Sequence, residues 1–150
     1  MITHKHILEK QEDTENLGKE LSKKAKARDI FALFGTLGVG KSVFSRAFIQ
    51  NLCGDTEVPS PTFTLLQIYD APDFEIYHYD MYRIKSPEEV FELGVEEAFV
   101  EGVSLVEWPE KMGAYLPKKR IELRFEHLGD NRRSLEIIYP DEQTAERFEK

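Results

Sequence analysis

A chain of 150 residues with 41% hydrophobic and 32% charged residues suits one compact domain with a real core and leaves little room for a second. The formal net charge of −8 argues against a broad electrostatic grip on nucleic acid, because such binding requires Lys and Arg side chains that neutralise phosphates. No apolar run approaches the roughly 20 residues that span a bilayer, and no secretory signal opens the chain. We therefore expect one cytosolic domain over residues 1–150 that does not contact a membrane.

The N-terminal part of the chain is predicted to form an edge strand followed by a helix. Residues 3–8 fit a short strand, and the apolar side chains of the next segment recur every four residues, at Leu17, Leu21 and Ala25. Asp13 or Thr14 is the predicted N-cap of this helix. Ile30–Phe34 follows as a short apolar run between a polar residue and a glycine, which is typical of a buried strand.

Residues 35–42 read G-T-L-G-V-G-K-S and fit the P-loop pattern G-x-x-x-x-G-K-[ST]. In this pattern backbone N–H groups turn toward a triphosphate, the lysine reaches the β- and γ-phosphates, and the hydroxyl ligates Mg²⁺. Apolar residues at helical spacing continue to Leu52, so strand, glycine loop and helix N-terminus occur in the order that a phosphate site needs. The residues predicted to bind a nucleotide here are Gly35, Gly38, Val39, Gly40, Lys41 and Ser42.

The next segment contains two prolines, which exclude a helix over residues 57–64, and three hydroxyls, at Ser60, Thr62 and Thr64. Two interpretations stay open. Loops of this composition sense the γ-phosphate and Mg²⁺ in P-loop proteins, as switch loops do. The alternative is the start of a strand with ordinary threonine usage.

Residues 63–69 and 75–82 are predicted to form two antiparallel strands, because the loop between them is short enough for a hairpin. On the second strand His78 and Asp80 project from the same face. A His/Asp pair without a third ligand is weak evidence for zinc. We therefore interpret Asp80 as an acidic group near Mg²⁺ or the attacking water, and His78 as a hydrogen-bonded support.

The second half of the chain contains a short acidic strand. Ser86, a proline and Glu89 form the pattern of a capping box, which predicts a helix that ends near Gly94. Val103–Glu107 is a mostly apolar strand that ends in a carboxylate. Because Mg²⁺ takes hard oxygen ligands and keeps several waters, Glu107 and Ser42 are the predicted magnesium ligands.

The remaining segments are predicted from apolar patterning and turn residues. Trp108 is predicted to pack on the core rather than to face a partner or a nucleotide base. Residues 121–125 and 135–139 fit two strands, and residues 129–133 fit the loop between them. Asp141 is the predicted cap of a final helix.

Four motifs occur in order: the P-loop at 35–42, S-P-T-F-T at 60–64, H-Y-D-M-Y-R at 78–83 and the pair Glu107 and Trp108. In this combination the sequence resembles the TsaE family of small bacterial ATPases over roughly residues 10–120. The P-loop and the resemblance together imply an α/β fold. That fold is a three-layer P-loop NTPase-like domain with a mixed, partly parallel central sheet flanked by helices.

The resemblance implies a Mg²⁺-dependent ATPase, slow when alone, in the biosynthesis of threonylcarbamoyladenosine in tRNA. The implied partners are TsaB and TsaD, the pair that installs the group, so tRNA is contacted only indirectly, through the complex. The implied site residues are Lys41, Asp80 and Glu107 for catalysis, Ser42 and Glu107 for Mg²⁺, and Thr62 in a switch-type loop. Gln11 and Arg132 lie where the family contacts the nucleotide, and Thr36 stands where many members carry an acidic residue.

Three other functions stay open from the residues alone. A P-loop says nothing about the phosphoryl acceptor, so a small-molecule or nucleotide kinase is the main alternative. A regulatory GTPase ranks below it, because the sequence contains no N-K-x-D motif for reading a guanine base. A binding module that holds ATP as a structural ligand is the third.

Overall fold

The computed structural model describes residues 1–36 and 38–149, and a seven-stranded sheet forms its centre. The strands are β1 (Ile2–Leu8), β2 (Ile30–Phe34), β3 (Leu66–Asp70), β4 (Glu75–Asp80), β5 (Val103–Glu107), β6 (Ile121–Gly129) and β7 (Arg132–Tyr139). Their order is β1-β7-β6-β2-β5-β4-β3. Strand β2 is parallel to β5 and β6, and β4 is parallel to β5, whereas the pairs β1–β7, β6–β7 and β3–β4 are antiparallel. The expected mixed, partly parallel sheet is confirmed.

Helices flank this sheet on both faces. They are α1 (Gln11–Lys24), α2 (Lys41–Cys53), α3 (Val95–Glu101) and α4 (Glu142–Glu149), with 3-10 helices at Pro87–Leu93 and Pro109–Tyr115. Leu21, Phe48 and Phe148, from α1, α2 and α4, belong to one buried apolar cluster on one face. Val90 and Met112, from the 3-10 helices, belong to a second cluster on the other face. None of the helices in the described part of the chain has the length and apolar character that crossing a membrane requires.

Helix α1 begins before the residues predicted to cap it. It starts at Gln11, so the prediction of Asp13 or Thr14 as N-cap is wrong. The Asp13 carboxylate instead accepts hydrogen bonds from the backbone N–H groups of Glu9 and Lys10, at 2.9 and 3.1 Å. A carboxylate in the first turn that reaches back in this way is the second half of a capping box, which sequence position alone does not separate from an N-cap.

The segment that precedes β3 is a turn and not the start of a strand. The Leu65 N–H donates to the Pro61 carbonyl at 2.6 Å, and Leu65 adopts a left-handed conformation with φ of 67°. Strand β3 therefore begins at Leu66, three residues after the predicted start. Of the two interpretations of residues 57–64, the structure agrees with the loop.

The hairpin β6–β7 is longer than the sequence suggested. Its turn residues Asp130 and Asn131 both have positive φ, 48° and 67°, which is the backbone that a tight two-residue hairpin turn requires. Both arms extend to this turn, so Arg132 and Arg133 lie in strand β7, whereas the sequence predicted a loop there. This difference determines which arginine reaches the site described below.

The parallel strands bring three chain segments to one edge of the sheet. Glu107, at the end of β5, is in register with Leu33 of β2 on one side and with Asp80 of β4 on the other. The P-loop leaves the same end of β2. Residues that are distant in sequence therefore meet at the carboxyl ends of parallel strands, where open α/β sheets bind ligands.

Gly102, which precedes β5, has no room for a side chain. A Cβ atom there would lie 2.5 Å from the Glu75 carbonyl oxygen and 2.6 Å from a ring carbon of Tyr77. Because a backbone atom and a buried ring cannot give way easily, we expect Gly102→Ala to lower the free energy of unfolding by about 1–3 kcal/mol. Urea denaturation measures the change.

Gly94 provides the control for this prediction. A Cβ atom at Gly94 would meet no atom within 4 Å, and its φ of 68° is a conformation that asparagine tolerates. Gly94→Asn should therefore lower the free energy of unfolding by less than about 1 kcal/mol. Equal losses in the two variants would contradict the steric argument.

Candidate functional site

A small polar cavity of about 150 Å³ lies at the carboxyl ends of β2, β4 and β5. Seven of the predicted site residues line it: Gly38, Gly40, Lys41, Ser42, Thr62, Asp80 and Glu107. Val43, Ser60, Trp108 and Arg133 complete the lining. Among the described residues, the cavity thus combines the P-loop, the hydroxyl-rich loop and both predicted carboxylates.

Two predicted P-loop residues shape the loop without lining the cavity. Gly35 has φ of 144°, and a Cβ atom there would lie 2.7 Å from the Val39 side chain, so only glycine fits. Val39 is itself fully buried and packs beneath the loop. Gly40, with φ of 113°, then leads directly into helix α2 at Lys41. Leu37, also within the loop, lies outside the described residues, as does Lys150.

The ammonium group of Lys41 is buried among the other site residues. Its Nζ donates to the Gly35 carbonyl at 2.7 Å and lies 4.1 Å from the centre of the Trp108 ring. Burial lowers the pKa of Lys41, and the nearby carboxylates of Glu107, Glu110 and Asp80 oppose that shift. The lysine is therefore a desolvated cation that is stabilised by one carbonyl, one ring and the surrounding negative charge.

Trp108 contacts this lysine and is itself partly exposed. Its backbone is left-handed, with φ of 56°, at the point where β5 passes into a 3-10 helix. The indole is half-buried at the edge of the second apolar cluster and lies 4.9 Å from the ring of Tyr82. The side chain packs as predicted, and it also covers the P-loop lysine.

Glu107 is held by a buried hydrogen bond. His78 Nε2 lies 2.7 Å from Glu107 Oε2, and both side chains are buried. The histidine was expected to be a hydrogen-bonded support, and the group it bonds is this carboxylate on the neighbouring strand. No group of three or more His, Cys, Asp or Glu side chains that could hold a metal ion occurs among the described residues.

Asp80 links strand β4 to the hydroxyl-rich loop. Its Oδ2 accepts a hydrogen bond from the Thr62 hydroxyl at 3.1 Å, and its Oδ1 accepts one from the Tyr82 N–H at 2.9 Å. The Thr62 hydroxyl also lies 2.7 Å from that of Ser60. The loop over residues 60–64 is therefore tied to the same carboxylate that faces the P-loop.

The remaining two predicted nucleotide contacts lie away from the cavity. Arg132 Nε donates to Glu9 at 2.8 Å on the exposed side of β7, and Gln11 donates to Glu15 at 3.5 Å. Arg133 lines the cavity instead, and a Cβ atom on Gly40 would lie 3.3 Å from its side chain. The buried Nε of Arg133 has no hydrogen-bond partner among the described residues.

Arg133 was not predicted as a site residue, because residues 129–133 were expected to form a loop. A usable signal was present in the pattern of β7. Side chains alternate along a strand, so Arg133 shares its row with the buried residues Leu135, Ile137 and Tyr139. Had the strand been extended by three residues, the same alternation would have directed Arg132 outward and Arg133 inward.

The donors in the cavity fit a magnesium ion. Ser42 and Glu107 offer one hydroxyl and one carboxylate, both of which are oxygen donors. Asp80 lies in register with Glu107 on the adjacent strand and adds a second carboxylate. The set contains no sulfur donor, and its one imidazole contacts Glu107, so the chemistry of the site matches a hard cation shared with phosphate oxygens.

Comparison with known proteins agrees with this geometry. The family model described as threonylcarbamoyl adenosine biosynthesis protein TsaE matches residues 8–135. The tRNA threonylcarbamoyladenosine biosynthesis protein TsaE of Rickettsia typhi is 47% identical over 133 residues, which cover 88% of this chain and 92% of the relative. The protein of the same name from Bacillus subtilis is 35% identical over 125 residues, which cover 83% of this chain and 78% of the relative.

A solved structure gives the same result for the fold. The crystal structure of Bacillus subtilis YdiB superposes with a TM-score of 0.80 at 28% sequence identity, over 99% of this chain and 93% of that chain. The match includes the whole sheet and both helical faces. By its family model, its relatives and its fold, this chain belongs to the TsaE family.

Proposed function

We propose that this protein is a Mg²⁺-dependent ATPase that serves the threonylcarbamoyladenosine modification of tRNA. The observation that carries the proposal is the cavity that combines Lys41 and Ser42 of the P-loop with the carboxylates of Asp80 and Glu107. Phosphoryl transfer depends chiefly on positioning and on stabilisation of charge, and these four side chains supply both. The names of the family and of the relatives support the biological process.

The cavity matches a phosphate chain in size and charge. Its volume of about 150 Å³ is smaller than the roughly 300–1,000 Å³ of sites that enclose a whole drug-sized ligand. The phosphates therefore occupy the cavity, and the nucleoside lies beyond it. Lys41 exchanges its bond to the Gly35 carbonyl for bonds to the β- and γ-phosphates, while the N-terminus of α2 offers backbone N–H groups.

Ser42 and Glu107 are the residues that would hold Mg²⁺ beside these phosphates. Bound there, Mg²⁺ neutralises charge on the β- and γ-phosphate oxygens. The hydrogen bond between His78 Nε2 and Glu107 Oε2 fixes the carboxylate and does not use its other oxygen, which would be the one to bind the ion. Arg133, from the opposite wall, adds a cation for the phosphate chain.

Asp80 is the residue proposed to act on water. In the reaction, water attacks the γ-phosphorus and the bond from that phosphorus to the bridging oxygen of ADP breaks. Inorganic phosphate and ADP leave, and the proton of the water passes to the Asp80 carboxylate and then to solvent. Thr62 donates to this carboxylate in the present structure, so movement of Thr62 toward the γ-phosphate would free Asp80 Oδ2 for the water.

The hydrolysis cycle would be used by partner proteins. An acidic chain with a net charge of −8 is poorly suited to grip tRNA alone. We therefore infer that the protein acts with partners resembling TsaB and TsaD, which carry out the transfer. The tie between Asp80 and residues 60–64 gives these partners a loop whose position depends on the phosphates.

Replacement of the P-loop lysine tests the proposal directly. We expect Lys41→Ala to lower ATP turnover at least about 100-fold, because it removes a charge aimed at the transferred group. In a reaction reconstituted with the two partners and tRNA, phosphate release and mass spectrometry of the modified nucleoside should fall together. Lys19→Ala, on the exposed side of α1, is the matched control and should retain both.

Unchanged tRNA modification in the Lys41→Ala reaction would contradict the proposal. A second arm addresses the kinase alternative. ADP formation by the wild-type protein is measured against a panel of nucleosides and metabolites. Product formation that depends on an acceptor would favour a kinase, whereas release of inorganic phosphate without an acceptor supports the ATPase.

Glu110, the next acidic residue after the proposed magnesium ligand Glu107, provides a control variant. Trp108 is the only tryptophan and contacts Lys41, so its fluorescence reports nucleotide binding. Glu107→Gln should raise the Mg²⁺ concentration needed for half-maximal ATP binding about 10–100-fold. Glu110→Gln, whose exposed carboxylate lies outside the cavity lining, should change it less than about twofold. Equal effects of the two variants would show that Glu107 is not a magnesium ligand.

Variants of the two adjacent arginines of β7 test which of them binds the nucleotide: Arg133, which lines the cavity, or Arg132, which was predicted from the sequence. Arg133→Gln should weaken ATP binding about tenfold or more, because it removes a charged donor from the cavity. Arg132→Gln breaks only an exposed ion pair with Glu9 and should change the affinity less than about threefold. A larger loss of affinity in Arg132→Gln than in Arg133→Gln, measured by the same fluorescence titration, would show that Arg132 is the arginine that binds ATP.

A further inference from the structure

A second and larger cavity lies at the other end of β2 from the P-loop. Its volume is about 660 Å³, within the roughly 300–1,000 Å³ typical of small-molecule sites. Three parts of the chain form it: residues 26–30 at the start of β2, residues 119–121 at the start of β6, and Pro140 with one side of helix α4 after β7. They meet because β2 and β6 are parallel and β7 is antiparallel to β6.

The lining of this second cavity is cationic in an acidic protein. Its basic residues are Lys26, Arg28, Lys119, Arg120 and Arg147, and its acidic residues are Asp29 and Glu146. The wall therefore has an excess of three positive charges on a chain whose formal net charge is −8. Such a local concentration of one sign in a concave site attracts anions.

Two of the five cations are fixed parts of the wall. Arg147 donates twice to the Asp29 carboxylate, at 2.9 and 2.6 Å, and once to the Lys24 carbonyl. Arg120 is bonded to Glu122 and to the Pro117 carbonyl. The bonds from Arg147 pair the charge of Asp29, and together the bonds keep both guanidinium groups in place.

The other three cations remain available. Lys26, Arg28 and Lys119 are exposed, and within the described ranges 1–36 and 38–149 their side chains form no hydrogen bond or close ion pair; the Asp141 carboxylate is near enough to Lys119 to interact with its charge. The apolar residues of the lining are Pro140, which is partly exposed, and Ile30 and Ile121, which are nearly buried, so the apolar floor is small. A ligand that fits this lining has negative groups and a small apolar part.

We propose that this cavity binds a small phosphate-bearing anion of nucleotide size. The phosphate contacts Lys26, Arg28 and Lys119, and the organic part lies on the apolar floor. An extended RNA strand fits less well, because the acidic surface outside the cavity repels a long polyanion. The inference concerns residues separate from the P-loop cavity, so it stands or falls independently of the ATPase proposal.

The test is a titration of the full-length protein followed by backbone amide NMR, which resolves the two cavities. The probes are AMP, inorganic pyrophosphate and a short single-stranded RNA. We expect AMP to shift the amides of Ala27, Lys119 and Gln143 with an affinity distinct from any effect on the Gly40 amide. Absence of shifts at these three amides up to about 10 mM AMP and pyrophosphate would overturn the proposal.

Two neighbouring lysines provide a matched pair of variants. Lys119 lines the cavity, whereas Lys118 lies on an adjacent groove with Met1 and Tyr139. Lys119→Glu should weaken AMP binding at the cavity amides at least about tenfold, and Lys118→Glu less than about threefold. Both variants should leave the amide signals outside the second cavity, that of Gly40 included, at their wild-type positions, which shows that the fold is intact.

Three results would contradict this inference. Equal losses in the two lysine variants would show that AMP responds only to overall charge. Shifts with the RNA strand alone would assign the surface to an extended nucleic acid. Shifts with pyrophosphate but none with AMP would show that the apolar floor takes no part, and the proposal of a nucleotide-sized ligand would fail.

Discussion

The buried ammonium group of Lys41 is the interaction on which the site depends. A charge removed from water requires compensation, and here it comes from the Gly35 carbonyl, the Trp108 ring and the carboxylates of Glu107 and Asp80. These partners come from the end of β2, the end of β5 and the end of β4. Only a sheet in which these three strands are parallel places their carboxyl ends around one cation.

The two carboxylates have different hydrogen-bond partners. Glu107 is bonded to His78 from within the sheet, whereas Asp80 is bonded to Thr62 of a surface loop. The first arrangement is buried, which suits the magnesium ligand proposed above. In the proposed reaction the second would be exchanged when a phosphate competes for the threonine, so one carboxylate would stay fixed and the other would respond to the ligand.

Local chemistry explains why much of the fold and site could be predicted from the sequence. The P-loop, the acidic strand that ends at Glu107 and the capping box at Ser86 each depend on residues adjacent in the chain. The failures depend on distant contacts. Arg133 was missed because the length of β7 is set by its pairing with β1 and β6, and the cap of α1 was misplaced because Asp13 bonds back to Glu9.

The second cavity could not be predicted for the same reason, since its walls come from segments that are distant in sequence, from Lys26 to Arg147. The position of this cavity shows how the positive charge is distributed along the fold. Strand β2 has cations at both ends, Lys41 at one and Arg28 with Lys26 at the other, while the protein as a whole is acidic. If both proposals hold, the acidic surface repels anions except at these two concave places, which would favour compact phosphates over extended polyanions.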